Sequence, residues 1–305
     1  YIADQNIEDA VRIALQLNRP LLVTGDPGTG KTDLAQSVAY QLRLLPLIRF
    51  VTKSASEAKD LFYTYDALGH FRETQRSAQT GDAVNVFDHL QAQGLGAAIL
   101  RGIDANAHPE IRDFLGDDLA VEKPVQSVVL IDEIDKASTD FANDILVELE
   151  RKQFTVPELG GKTYRLSRDY PFSPIVVITS NSTKHLPDAF LRRCIFLHLD
   201  PPDSARMELI LKSHHQSEED PFLKAVLEVF EWIQFNSENI RKKPSTAELI
   251  DWVSALRSFI PAGHSLQDNP EAILRTLGVL VKSKDDLDQA EALVEAWKTA
   301  ASSNE

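Results

Sequence analysis

The sequence predicts an α/β protein: a doubly wound parallel sheet in the first two-thirds and a smaller all-α domain after it. Three observations predict this. Five short apolar runs are separated by segments of helical spacing, a glycine-rich turn directly follows the first run, and strand signals cease after Asp200-Pro201-Pro202. Continuous rather than alternating apolar runs mark strands covered on both faces, as in a sheet sandwiched between helices.

The elements follow in order. Ile7, Ala10, Val11, Ala14 and Leu15 recur at helical spacing across residues 4–17. Pro20-Leu21-Leu22-Val23-Thr24 reads as the first strand, with a helix from about residue 30 to 43 behind its turn. Residues 46–52 read as the second strand, Val128-Val129-Leu130-Ile131 as the third, residues 174–179 as the fourth and Ile195-Phe196-Leu197-His198-Leu199 as the fifth. Two segments interrupt the alternation. Residues 60–120 form a connection long enough to carry its own structure or a function. Residues 152–168 read as a β-hairpin turning at Gly160-Gly161. Helical patterns then occupy roughly 203–214, 221–235, 245–258, 270–280 and 285–298, and the tail from Ala301 to Glu305 is expected to fray. The expected domains are 1–200 and 201–305.

Composition narrows the class. A chain of 305 residues suits about two domains, and 43% hydrophobic with 26% charged residues suits a soluble globular protein. No apolar run approaches the ~20 residues that span a bilayer, so no membrane insertion is expected. No signal-peptide pattern opens the chain, which starts at Tyr1 without an initiator Met; a trimmed start leaves targeting open. The single Cys194 allows no intrachain disulfide, which fits a cytoplasmic protein. Net charge is −14, split evenly between residues 1–200 and 201–305. Neither part is basic overall, which weighs against nucleic acid as the main partner. His214-His215 has no further ligands at metal spacing.

Four motifs carry chemistry. Gly25-Asp26-Pro27-Gly28-Thr29-Gly30-Lys31-Thr32 is a P-loop between a strand and a helix, the context that gives the pattern meaning. Its glycines let main-chain N–H groups close around phosphates, the helix N-terminus adds positive potential, Lys31 reaches the β- and γ-phosphates, and Thr32 ligates Mg²⁺. In Val128-Val129-Leu130-Ile131-Asp132-Glu133, a buried strand delivers two acids to its C-terminal end, where ligands of parallel sheets bind. Asp132 would hold Mg²⁺ through water and Glu133 would polarise the attacking water, while Asp135 reads as a solvated turn acid. Asn181, ending Ile178-Thr179-Ser180-Asn181, reads equally as a turn residue or as an amide facing the γ-phosphate. Arg192 and Arg193, in Leu186-Pro187-Asp188-Ala189-Phe190-Leu191-Arg192-Arg193-Cys194, read as surface residues or as an arginine finger. Phe62, Tyr63, Tyr65 and Phe71 favour aromatic packing over a pore lining.

These four motifs, in this order and with a hairpin before the asparagine strand, resemble the AAA+ ATPases and most closely the MoxR-like group. The resemblance covers most of 1–200 and, more loosely, the helical domain. It implies an ATP- and Mg²⁺-dependent ATPase core with a helical lid, assembled as a homo-oligomeric ring, a hexamer. By the resemblance Asn181 is the sensor-1 residue and Arg193 the finger, with Arg192 second. The family's lid arginine has no counterpart in Arg241-Lys242-Lys243-Pro244-Ser245-Thr246-Ala247; Lys243 or Arg241 stands nearest. The resemblance also implies a partner bearing a von Willebrand factor A domain.

Three functions follow. The first is a chaperone-like remodeller that couples ATP turnover to a client protein. The second is a nucleic-acid motor or loader contacting phosphates through Lys152, Lys162, Arg165 and Arg168 on the hairpin. The third is a slow nucleotide-gated switch or scaffold.

Overall fold

The computed structural model describes residues 1–302 apart from 82, 168–169, 184–185, 216–219, 237–239, 262–263 and 268. The chain forms two compact units. One comprises Ala3–Gly25 and Lys31–His198; the other comprises Tyr1–Ile2, Asp26–Gly30 and Leu199–Glu305.

The first unit runs α1 (Gln5–Leu17), β1 (Leu21–Gly25), α2 (Lys31–Gln41), β2 (Ile48–Val51), β3 (Tyr63–Tyr65), α3 (Ala67–Thr80), β4 (Leu90–Ala92), α4 (Gly94–Arg101), α5 (Glu110–Leu115), β5 (Val128–Asp132), α6 (Thr139–Asp144), α7 (Leu146–Arg151), β6 (Gln153–Val156), β7 (Lys162–Arg165), β8 (Ile175–Ser180), α8 (Asp188–Leu191) and β9 (Ile195–Leu199). The five predicted strands form one sheet in the order β2-β5-β8-β1-β9. Its ladders β2–β5, β5–β8 and β8–β1 are parallel. Every residue of β1 and β5 is buried, the reason both read as unbroken apolar runs. Because the strands are parallel, the register pairs of Thr24 with Ser180 and of Val51 with Asp132 bring the polar ends of β1, β8, β5 and β2 to one edge.

The long connection of 60–120 has its own structure. β3 and β4 pair antiparallel around α3, and α4, with all eight residues buried, packs against the sheet. Its close approach needs glycine: a Cβ on Gly96 would lie 2.0 Å from the Phe62 carbonyl oxygen. The hairpin forms as predicted, β6 against β7, with Gly160 and Gly161 at φ of 69° and 80° supplying the turn. Hairpin and connection share a cluster of Phe62, Tyr63, Phe114, Phe154 and Tyr164, whose neighbouring ring centroids lie 5.4 to 6.3 Å apart. Phe62 and Tyr63 are therefore core, whereas Phe71 stands exposed on α3. Tyr63 also donates to Glu158 Oε2 at 2.7 Å, and burial together with that carboxylate raises its pKa.

The second unit is helical beyond Leu199: α9 (Ser204–His215), α10 (Pro221–Phe235), α11 (Thr246–Phe259), α12 (Pro270–Thr276) and α13 (Lys284–Ser302). Its core centres on Trp252, fully buried on α11, with Phe230, Ile233, Leu249 and Ile273. Ser245 and Glu248 close a capping box at the start of α11. The frayed tail expected for 301–305 falls largely outside the described residues. No helix among the described residues is long and apolar enough to cross a membrane.

The contact at Gly96 yields a stability prediction. Gly96→Ala should destabilise the protein by about 1–3 kcal/mol through overpacking, because a main-chain carbonyl cannot swing aside. Thermal unfolding followed by circular dichroism measures it; an unchanged Tm would contradict the packing described.

Candidate nucleotide and metal site

The site assembles where β1, β5 and β8 end. Gly25, Gly28 and Gly30 adopt φ of 148°, 82° and 86°, conformations that L side chains rarely take. Glycine is required twice over at position 28. A Cβ there would fall 2.3 Å from Ser245 Oγ, a residue of the same compact unit. Lys31, only 9% exposed, donates from Nζ to the Gly25 carbonyl at 2.7 Å. Its ammonium therefore lies at the C-terminal end of β1.

Asp132 is 3% exposed at the tip of β5. Its Oδ1 accepts from Thr179 Oγ1 at 2.5 Å and from Thr32 Oγ1 at 3.3 Å. Its Oδ2 accepts from Arg49 Nη2 at 2.5 Å and Nε at 3.1 Å. A buried carboxylate needs such partners, since an unpaired one is costly to remove from water. The hydroxyl of Thr179 acts twice, for it also accepts the Glu133 N–H at 2.9 Å. Glu133 itself sits at φ 59°, a left-handed conformation that costs a non-glycine residue of the order of 1–3 kcal/mol and collects at functional positions. Its carboxylate pairs with Lys136, and that bond raises the lysine pKa.

Asn181 follows β8 with an exposed side chain. Its N–H donates to Asp135 Oδ1 at 3.1 Å, and Ser180 Oγ donates to the same oxygen at 3.1 Å. Asp135 was expected as a solvated acid and instead braces the turn that presents Asn181. Arg193 donates from Nε to Glu150 Oε2 at 3.2 Å and from Nη1 to the Ala189 carbonyl at 2.8 Å. Arg192 is exposed beside it. In the helical unit Lys243 donates to the Gln234 carbonyl at 3.3 Å and Arg241 pairs with Asp285 at 3.5 Å. Cys194 is buried, and burial pushes its thiol up to about 12, an inert environment.

Thus Thr32 meets Asp132, and Asp132 and the Glu133 N–H share Thr179, while Lys31 lies on the Gly25 carbonyl. Arg49 and Thr179 were missed. Arg49 is a charge in the middle of a short strand, which hints at a polar neighbour without naming it. Thr179 is indistinguishable in sequence from any strand threonine. The hairpin cations fare differently: Lys152 is buried, Lys162 is ion-paired with Glu110, Arg165 is exposed, and Arg168 lies outside the described residues.

The residues fit a nucleotide and Mg²⁺. Thr32 and Asp132 offer the hard oxygen donors that Mg²⁺ takes, directly or through water, and Lys31 beside them in sequence offers a buried ammonium to phosphate. Thr179→Val keeps the shape but strips both acids of a shared partner. It should cost about 1–3 kcal/mol of stability, with Thr179→Ser near wild type, as measured by urea unfolding.

The comparisons bear on fold and family. Two solved structures of Thermotoga maritima RuvB are similar to the chain. A proline-to-glycine variant is 16% identical at a TM-score of 0.52, covering 92% of this chain and 71% of that one. A threonine-to-valine variant is 15% identical at a TM-score of 0.49, covering 92% and 70%. At such identity the first supports the fold alone. No curated protein matches. The family profile of the AAA domain, dynein-related subfamily, matches residues 20–209, well over half of the chain, and the protein belongs to that family.

Proposed function

We propose that the protein is a ring-forming ATPase of MoxR-like type that couples ATP turnover to remodelling or activation of a partner protein. The observation that carries this reading is the joint held by Thr179, which sets Asp132 beside the P-loop threonine and Glu133 one residue beyond it.

In this reading Lys31 and the main-chain N–H groups of the P-loop glycines Gly25, Gly28 and Gly30 and of Lys31 and Thr32, with Asp26, Pro27 and Thr29 shaping the turn, bind the triphosphate substrate. Thr32 and Asp132 would hold Mg²⁺, which when bound neutralises phosphate charge and aligns the oxygens. Glu133 leaves Lys136 to accept a proton from the attacking water, whose other side Asn181 orients. Arg193, released from Glu150, serves the site of the neighbouring subunit, with Arg192 as alternate. Residues 201–305 act as the lid, and Lys243 is the lid residue proposed to meet nucleotide. The working assembly is a cytoplasmic homo-hexamer acting as a chaperone, and its client carries a von Willebrand factor A domain.

Motion would reach the client through the connection and hairpin together. The shared aromatic cluster, Tyr63 on Glu158 and Lys162 on Glu110 make them one block. The nucleic-acid alternative draws little support, because burial of Lys152 and pairing of Lys162 remove two of its four cations.

Glu133→Gln should keep nucleotide affinity, lose about 10²- to 10⁴-fold in hydrolysis, and stabilise the oligomer with ATP. Steady-state phosphate release and light scattering read both. Undiminished turnover would contradict the role given to Glu133. Full cellular complementation by the same variant would favour the switch over the motor.

A further inference from the structure

Asp132 Oδ2, the carboxylate oxygen facing away from Thr32 and Thr179, is taken by a cation of the protein itself. Arg49 places Nη2 and Nε on that one oxygen, at 2.5 and 3.1 Å. The two partners are unequal. The Asp132 side chain is 5% exposed and that of Arg49 is 53% exposed. The acid is fixed by two threonine hydroxyls, whereas the guanidinium rides on a flexible stem with more than half of the side chain in solvent.

We propose that Arg49 is a resident counter-cation of the metal-supporting carboxylate. It competes with Mg²⁺ for Asp132 and keeps metal out until nucleotide is bound. This rests on the reading of the site as one for Mg²⁺ and nucleotide. The physics is a balance of charge. A hydrated Mg²⁺ facing Asp132 and Arg49 together meets one negative charge already matched by a positive one. Mg²⁺ dehydrates reluctantly and binds through one or two carboxylates only when phosphate oxygens complete its shell. A bound triphosphate would reverse the local sign, so that Asp132 could then help to hold the metal with Arg49 drawn off toward solvent. Arg49 thereby acts through Asp132 as a positioning residue and sets the order of binding, nucleotide before metal. Lysine would be a poorer occupant, since it lacks the planar fork that puts two N–H groups on one oxygen.

Mn²⁺, read by electron paramagnetic resonance, probes the full-length chain without nucleotide. Arg49→Met keeps the stem and removes the charge, and should bind Mn²⁺ roughly ten- to hundred-fold more tightly than wild type, the range over which groups next to metal ligands act. Arg49→Lys should fall between. In addition, the Tm lost by Arg49→Met should be recovered on adding Mn²⁺ alone. Equal or weaker Mn²⁺ affinity in Arg49→Met overturns the proposal, as does a lower Tm without any gain in metal affinity, which marks a purely structural pair. If Arg49→Met does not fold, the Arg49→Lys affinity decides in the same direction. Calorimetry of wild type with ADP and chelator separates the two claims. Absence of ADP binding there counts against the nucleotide reading, while the Mn²⁺ comparison still decides the role of Arg49.

Discussion

The structure depends on one buried carboxylate. Asp132 ends a strand with no exposed residue, so it is carried to the edge of the sheet by burial and must be satisfied there by the protein. Three side chains from three other elements do this: Thr32 at the start of α2, Arg49 on β2 and Thr179 on β8. The strand order β2-β5-β8-β1 makes it possible, because β2 and β8 flank β5 and β1 leads into α2. Sheet topology and site chemistry are therefore one constraint seen twice. Rearranging the strands would leave Asp132 without its partners.

The same edge carries local backbone strain. Glu133 turns left-handed immediately after β5, and Thr179 takes its N–H. That turn sends the second acid away from the first, so that Asp132 faces the P-loop threonine while Glu133 reaches Lys136. Both acids are thus occupied by cations of the chain, and Arg193 in turn rests on the carboxylate of Glu150. These ion pairs are half-exposed or more on at least one side, where such pairs contribute little to stability and exchange partners readily. The connection and the hairpin are held to each other more firmly, by aromatic packing.

Much of the fold was legible because burial on both sides erases polar alternation. The five sheet strands could be read from apolar runs alone, and the hairpin from Gly160-Gly161 between two runs of β-formers. The interior of 60–120 was not legible. β3 and β4 are three-residue strands, and α3 has no buried residue to print a periodic face. The short helices α5 and α8 gave no signal for the same reason of length. In the site, residues in contiguous motifs were found, because chain proximity dictates their geometry. Arg49, Thr179 and the brace from Asp135 were not, because each acts through a partner on another strand or loop. Their roles arise from register, which one-dimensional spacing does not encode.

The central claim is that this edge of the sheet binds nucleotide through the P-loop and metal through Asp132. Calorimetric titration of the wild-type chain with ATP, with and without Mg²⁺, tests it most directly when run beside Lys31→Ala and Asp132→Asn. The account predicts saturable heat for wild type, its loss in Lys31→Ala, and, in Asp132→Asn, binding that no longer responds to Mg²⁺. Folded wild-type protein that gives no heat with Mg²⁺ and ATP, or a Lys31→Ala variant that binds as wild type does, would contradict it.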